Sequence, residues 1–273
     1  PFVDAHVATS DSLPSKQLKK KPIRLPPRQV RRVAVLSVPM AISMFSFGGM
    51  TLVDTLLVGH LGAPELAAVG LGGTIALALL GFSTGVFRIL KVRIAGALGA
   101  GERETAAHIV TGGLLLAPLL GLFTIGLGFG ALPLLRWLGG EEAAAMSSQY
   151  FLARIVVAPL ILTTVVLREA RHGYRDSRTA MRAALIANGV NAVADVFLLY
   201  GLRLGVPGAG VATWTACITE GFLLFRAHRR DLRFNFGQAV RQAATLVRTG
   251  LPSGAQGFLE LSGIPYVGSG VLG

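Results

Sequence analysis

The sequence predicts an all-α, polytopic membrane protein, organised as a lobe of six transmembrane helices followed by part of a seventh helix. Apolar residues make up 52% of the chain and charged residues only 15%, and the mean hydropathy is +0.60. A soluble domain carries about 25% charged residues, so this composition indicates a surface that faces lipid. The 35 glycines are typical of membrane helices that pack closely.

Seven apolar runs are each long enough to cross a bilayer as a helix, which takes about 20 residues. The runs are continuous and do not alternate between polar and apolar residues, which favours helices over strands. In chain order they are Val33–Val58, Glu65–Phe87, Ala106–Leu135, Ala143–Leu167, Met181–Tyr200, Val206–Phe225 and Leu251–Leu272. The third run is long, and we expect it to tilt or break near Pro118 or Gly126.

Basic residues fall almost entirely on one side of these spans. The N-terminal segment and the second, fourth and sixth connections together hold 23 of the 26 Lys and Arg residues. The positive-inside rule therefore predicts a cytoplasmic N-terminus, in a plasma (inner) membrane. The predicted organisation is a basic cytoplasmic segment (1–32), a six-helix lobe (33–227), a cytoplasmic connection (228–249) and a truncated seventh helix (250–273).

Several classes of function are disfavoured by the same pattern. The net charge of +12 does not indicate a nucleic-acid partner, because the basic residues lie between apolar spans and not along a groove. Membrane lipid is the expected partner of the spans. The sequence shows no nucleophile–base pair and no metal-ligand motif, so we expect neither an enzyme, nor a cofactor, nor a metal site.

Four acidic residues lie within the predicted spans: Asp54, Asp195, Glu220 and Glu260. A charge in hydrocarbon is costly, so each of them should face a cavity or a partner. Glu220 lies near the inner end of its span, six residues before Arg226, and we expect it to reach the lipid headgroups instead.

Two of these carboxyls are predicted to lie at one depth, because a helix rises ~1.5 Å per residue. Asp54 and Asp195 are four and five residues from the outer ends of their spans, and Tyr150 and Thr213 are each seven residues into spans that enter from outside. Asn191 lies one turn below Asp195 on the same helix face. We expect the five residues to line one cavity in the outer half of the bundle. Neighbouring carboxylates do not both ionise cheaply, so the group is expected to bind and release a proton.

Three stretches of the sequence are distinctive in their order and spacing. They read VPMAISMFSFGGMTLVDTLLVGHLGAPELAAVGL, GALGAGERETAAH and GYRDSRTAMRAALIANGVNAVADVFLLYGLRLGVPGAGVAT. Together they resemble the multidrug and toxic compound extrusion (MATE) family of cation-coupled antiporters, and the match extends from about Val33 to Glu260. The resemblance implies twelve helices in two six-helix lobes around a central cavity. It also implies an antiporter that exchanges protons or sodium for small organic cations.

The resemblance also implies which residues bind the coupling ion, H⁺ or Na⁺. In one branch of the family the matching residues are Asp54, Tyr150, Asn191, Asp195 and Thr213. Pro39 matches the proline that precedes the aspartate on the first helix, and we expect it to act as a hinge. Glu260 resembles a carboxylate on the seventh helix that binds the cation in another branch.

Three features depart from the family pattern. The end of the second span, VFRILKVRI, is more basic than the apolar stretch that is usual in the family. Arg168 stands where an uncharged amide is expected, and helices eight to twelve are missing, so transport would require the missing C-terminal lobe. Without that lobe, we expect the seventh span to lie loosely on the bundle or to be poorly defined. Two alternatives stay open: a lipid-linked oligosaccharide flippase of the same superfamily, and a truncated membrane fragment that does not transport.

Overall fold

The computed structural model describes residues 27–261, and every regular element in that range is helical. The helices are α1 (Pro27–Gly59), α2 (Ala63–Phe87), α3 (Ile89–Gly99), α4 (Arg103–Ile155), α5 (Ala158–Gly173), α6 (Ser177–Val196), α7 (Val206–His228) and α8 (Phe236–Leu261). Five stretches of the described chain, and one bent helix pair, are long and apolar enough to cross a membrane. The predicted all-α membrane fold is therefore confirmed, while most of the basic segment 1–32 lies outside the described residues.

The second span is longer than predicted. The chain stays helical past Arg88, so that α2 and α3 form one apolar stretch of 37 residues where we had expected a connection. Leu90 and Ile94 are fully buried against α4 and α5. Lys91 forms an ion pair with Glu169 of α5 at 3.0 Å. An apolar face at helical spacing thus holds this basic segment on the bundle.

Helical backbone runs without interruption through α4, but α4 is not a single rod. A Cβ added at Gly128 would lie 2.9 Å from the Ile155 side chain, and one added at Gly121 would collide with Pro159. The glycine that comes later in the chain thus contacts the residue that comes earlier in the fourth span. The segments before and after residues 139–143 therefore run antiparallel. The reversal that the sequence predicts between the third and fourth spans is therefore present.

The fourth span is bent where α4 meets α5. Its two parts, Ala144–Ile155 and Ala158–Gly173, are inclined at 46°. Pro159 lies in the first turn of α5 and has no N–H to donate to the preceding turn, so a break just before it loses little hydrogen bonding. The bend separates Arg154, on the first part of the span, from Arg168, on the second part.

Two side-chain hydrogen bonds tie α1 to α6 and to the π-helical turn that follows α6, Phe197–Gly201. The Tyr200 hydroxyl donates to the carbonyl of Leu57 at 2.6 Å, and Asn188 Nδ2 donates to the carbonyl of Ser46 at 2.9 Å. The two bonds lie on either side of residue 54 in the chain. They fix the rotation of α1 against α6, and so the direction in which its central side chains point.

The last helix, α8, differs from the expected arrangement. One continuous helix covers part of the expected connection (228–249) and the start of the expected seventh span (250–273). It packs against α2, α3 and α4. The remainder of the predicted seventh span, residues 262–273, lies outside the described residues.

A row of glycines brings α8 close to α2. A Cβ at Gly254 would lie 2.9 Å from the carbonyl oxygen of Phe82, and one at Gly257 would lie 2.5 Å from that of Gly81. Small residues allow backbones to approach in this way. In its described part the seventh span therefore packs closely on the lobe, contrary to the loose contact that we expected.

We predict that Gly254→Val separates α8 from α2, because the added side chain collides with backbone. Overpacking of this kind costs about 1–3 kcal/mol. The measurement is deuterium uptake by α8, together with the unfolding free energy of the purified chain in detergent. Gly237→Ala is the control, since a Cβ at that exposed position of α8 meets no atom closer than 3.6 Å. Equal uptake in the two variants would contradict the close packing.

Candidate functional site: a buried acid site beside a cavity

Asp54, Tyr150 and Arg154 form a hydrogen-bonded group between α1 and the second half of α4. All three side chains are fully buried. Arg154 Nη1 donates to the Tyr150 hydroxyl at 2.7 Å and to Asp54 Oδ2 at 3.3 Å, and the hydroxyl donates to the same Oδ2 at 3.4 Å. The residues at 150 and 154 are one turn apart on α4, so both side chains reach the same carboxyl.

Two residues of α6 complete the group. The carboxyl of Asp195 is close enough to interact with both Asp54 and Arg154. Asn191 lies one turn earlier on the same helix, and both side chains are buried. We call the five residues Asp54, Tyr150, Arg154, Asn191 and Asp195 the acid site.

With both carboxyls ionised, several polar atoms of the acid site have no hydrogen-bond partner within the described part of the chain. They are Oδ1 of Asp54, both carboxyl oxygens of Asp195, and the side-chain oxygen and nitrogen of Asn191. Buried polar groups are normally paired, and unpaired ones are expensive. This set of open oxygens is therefore suited to hold a proton or a small cation.

Glycines in α2 make room for the aromatic member of the site. A Cβ at Gly72 would lie 2.7 Å from the carbonyl oxygen of Ser147, and one at Gly73 would lie 3.5 Å from the ring of Tyr150. The second half of α4 thus approaches α2 closely. The ring of Tyr150 rests on this glycine surface, and its hydroxyl is directed toward α1.

The structure brings together four of the residues that the sequence singles out, Asp54, Tyr150, Asn191 and Asp195. Thr213 of α7 is also fully buried, and its hydroxyl donates to the carbonyl of Ala209 at 3.4 Å. Pro39 lies within α1, which stays helical on both sides of it.

Glu260 is not brought to the acid site. Its carboxylate accepts a hydrogen bond from Arg88 at 3.0 Å and another from Gln256 at 2.7 Å. The side chain is 42% exposed. The reason is the docking of α8 on α2, α3 and α4, whereas the two aspartates belong to α1 and α6.

Arg154 is the member of the acid site that sequence reasoning missed. In the sequence it is a basic residue within the fourth predicted span, Ala143–Leu167. Two signals in the sequence could have identified it: a charge near the middle of an apolar run, and a position four residues after Tyr150. What the sequence does not show is that α1 presents Asp54 to this face of α4.

A cavity of about 400 Å³ lies beside the acid site, between α1, α2, α5, α6 and α7. None of the five residues that we expected to line a cavity lines this one. Its wall includes Met50 and Thr51, about one turn before Asp54 on α1, and Asn188, one turn before Asn191 on α6. The acid site is thus closed, and it shares two helices with an adjoining cavity.

The cavity wall carries a buried ion pair. Arg168 donates from Nε and Nη2 to the two carboxylate oxygens of Glu220, each at 2.7 Å. Glu220 is only 4% exposed, so the expectation that it reaches the headgroups is wrong. The pair accounts for a charged residue at position 168, since the carboxylate neutralises it. Arg88 and Glu169 also line the cavity, so that its described charged groups balance.

Comparison with known proteins links this geometry to a family. The model of the MatE family matches residues 39–197. The probable multidrug resistance protein NorM of Oceanobacillus iheyensis is 26% identical over 250 residues, which cover 86% of this chain and 56% of that protein. The probable multidrug resistance protein NorM of Burkholderia pseudomallei is 31% identical over 230 residues, covering 81% and 48%. The chain thus spans about half the length of the curated relatives it matches.

A solved structure shows a similar arrangement. A MOP superfamily transporter from Pyrococcus furiosus superposes with a TM-score of 0.74 at 27% sequence identity. The superposition covers 82% of this chain and 52% of the other. Again the similarity extends over most of this chain and about half of its counterpart.

We predict that Arg168→Met lowers the unfolding free energy by about 3–5 kcal/mol, because it leaves the Glu220 carboxylate buried without its partner. The double variant with Glu220→Leu should recover most of that loss. The measurement is the denaturation midpoint in detergent.

Arg88→Met is the matched control for that series. Its ion pair with Glu260 is exposed, with 38% and 42% of the side-chain surfaces accessible, and exposed pairs contribute little. The interpretation fails if Arg168→Met is no more destabilising than Arg88→Met.

Proposed function

Because this chain belongs to the MatE family, we propose that it forms the N-terminal lobe of a cation-coupled antiporter that exports small organic cations. The chain is an integral, multi-pass membrane protein. We further propose that the chain lies in a plasma membrane with its N-terminus in the cytoplasm. The distribution of basic residues supports this orientation. The acid site is the observation that carries the proposal, because it places two fully buried carboxyls beside a single buried arginine.

The proposed coupling follows from the charges of the acid site. Asp54 and Asp195, when ionised, carry two negative charges, and Arg154 carries one positive charge. In a medium of low dielectric constant the remaining negative charge is unfavourable, so the site gains from taking up one cation. A proton or a sodium ion that enters from outside and leaves to the cytoplasm would complete the cycle.

Exchange requires that the coupling ion and the substrate stabilise different conformations. The acid site and the cavity share α1, whose Met50 and Thr51 line the cavity about one turn from Asp54. Uptake of a cation at Asp54 and Asp195 removes a net charge and allows α1 to change its packing on α6. Pro39 is the proposed hinge for that movement, since it removes a helix hydrogen bond.

The cavity supports a small, largely apolar substrate. Its volume of about 400 Å³ lies within the range of ligand sites, and the carboxylates of its wall, Glu169 and Glu220, are paired with Lys91 and Arg168. A flippase for lipid-linked pyrophosphates would need an excess of positive charge, whereas the described acids and arginines of the wall balance. The export of organic cations is therefore the better-supported function.

A second lobe is part of the proposal. The matched relatives are about twice as long as the aligned part, and alternating access needs a surface against which this lobe can move. We propose that a further six-helix lobe, contributed by the same or another chain, closes the cavity on its open side.

We predict that Asp54→Asn and Asp195→Asn each lower proton-driven efflux by at least about tenfold. Either change leaves Arg154 and one carboxylate as a neutral pair, so that no uncompensated negative charge remains to bind a cation. The measurement is pH-driven transport of a fluorescent organic cation in vesicles that carry the complete reading frame encoding this chain. Glu102→Gln, an exposed acid before α4, is the control for altered surface charge. Undiminished transport by the Asp54/Asp195 double variant would refute the mechanism.

A further inference from the structure

We propose that Arg154 is a built-in counter-cation that reserves the acid site for protons and excludes Na⁺. The inference deepens the proposed function by naming the coupling ion, and it rests on that function only for its role in transport. The position of Arg154 within the carboxyl cluster is the observation that carries it.

The guanidinium of Arg154 lies among the oxygen atoms that a metal ion at the acid site would use as ligands. Its Nη1 is shared between Asp54 Oδ2 and the Tyr150 hydroxyl, at 3.3 Å and 2.7 Å. These are two of the oxygen atoms that a hard cation would use as ligands. A guanidinium donates hydrogen bonds and accepts none, so it cannot itself ligate a metal ion.

The side chain is enclosed by its neighbours in this position. Arg154 is fully buried, and so are its partners on both sides. The guanidinium carbon of Arg154, Cζ, also lies 5.6 Å from the centroid of the Tyr150 ring. Arginine keeps its charge in proteins, so it cannot make room for a second cation by releasing a proton.

Among the described groups that face Arg154, the ionised carboxylates exceed its positive charge by one. They are Asp54 on α1 and Asp195 on α6, while Tyr150 on its own helix and the thiol of Cys217 on α7 are uncharged neighbours. Asp54 is matched by the guanidinium, which leaves the Asp195 carboxyl to be neutralised. Both of its oxygens lack a hydrogen-bond partner among the described residues.

A proton and a sodium ion differ in what they need at that carboxyl. A proton binds one oxygen, and the protonated carboxyl then donates a hydrogen bond that the carboxylate of Asp54 can accept. A sodium ion needs several oxygen ligands in place of its water shell, and here it would lie beside a fixed positive charge. The geometry therefore favours protonation of Asp195 and opposes metal binding.

The test measures sodium binding by the purified chain in lipid nanodiscs, without transport. Thermal unfolding is recorded in sodium chloride and in choline chloride at equal ionic strength. For the native chain we expect the same midpoint in both salts. For Arg154→Gln we expect sodium to raise the midpoint, with a gain in Na⁺ affinity of about tenfold or more.

Two further variants make the result specific. Arg154→Lys keeps the positive charge and should stay insensitive to sodium. Adding Asp195→Asn to Arg154→Gln should remove the acquired sensitivity, because one of the two carboxylates is then lost. If Arg154→Gln does not fold, the native chain and Arg154→Lys still test the proposal. Stabilisation of either of them by sodium would contradict it.

Sodium stabilisation of the native chain that disappears in Asp54→Asn would overturn the proposal. A folded Arg154→Gln variant that stays indifferent to sodium would also overturn it. Either result leaves cation-coupled export standing, with another ion or another site. Conversely, a failure of efflux in the vesicle assay would not alter the sodium result, so the two proposals fail separately.

Discussion

The ion pair between Arg154 and Asp54 is the constraint on which the rest of this lobe depends. Both groups are fully buried, and their closest atoms are 3.3 Å apart. Removing one partner from such a pair costs about 3–5 kcal/mol, because the other charge is left without compensation. The contact therefore holds only if α1 and the second half of α4 keep one relative position. Local packing elsewhere in the lobe maintains that position.

Three local features hold the pair in place. Gly72 and Gly73 of α2 accept the ring of Tyr150 and bring α4 inward. The hydrogen bond from Tyr200 to the carbonyl of Leu57 fixes α1 beside α6. The bend between α4 and α5 then lets one membrane span serve two environments, the closed acid site and the wall of the open cavity.

The fold was largely predictable from the sequence because transmembrane helices are selected by length and hydropathy alone. Helix rise was enough to place Asp54 and Asp195 at a common level. What the sequence did not reveal depends on contacts between helices. The partner of Glu220 is Arg168 on another helix, and only packing shows that the two face each other. The same holds for Arg154, whose charge was visible but whose partner was not.

The basic stretch after α2 was misjudged for a related reason. Charge density suggested a connection, yet Leu90 and Ile94 supply an apolar face that docks on α4 and α5. The course of α8 was missed because its glycines at 250, 254 and 257 contribute nothing to hydropathy. Their role appears only where they meet the backbone of α2.

The central claim is that the two carboxylates of the acid site carry one negative charge more than Arg154 neutralises. Counting the protons bound at the site tests that claim most directly. The count comes from the infrared carbonyl band of protonated carboxyls, measured in sodium-free buffer for the native chain and its variants. The account predicts one proton in the native site, none in Asp54→Asn or Asp195→Asn, and two in Arg154→Gln, where the counter-cation is gone. An equal count in the native chain and Arg154→Gln would contradict it.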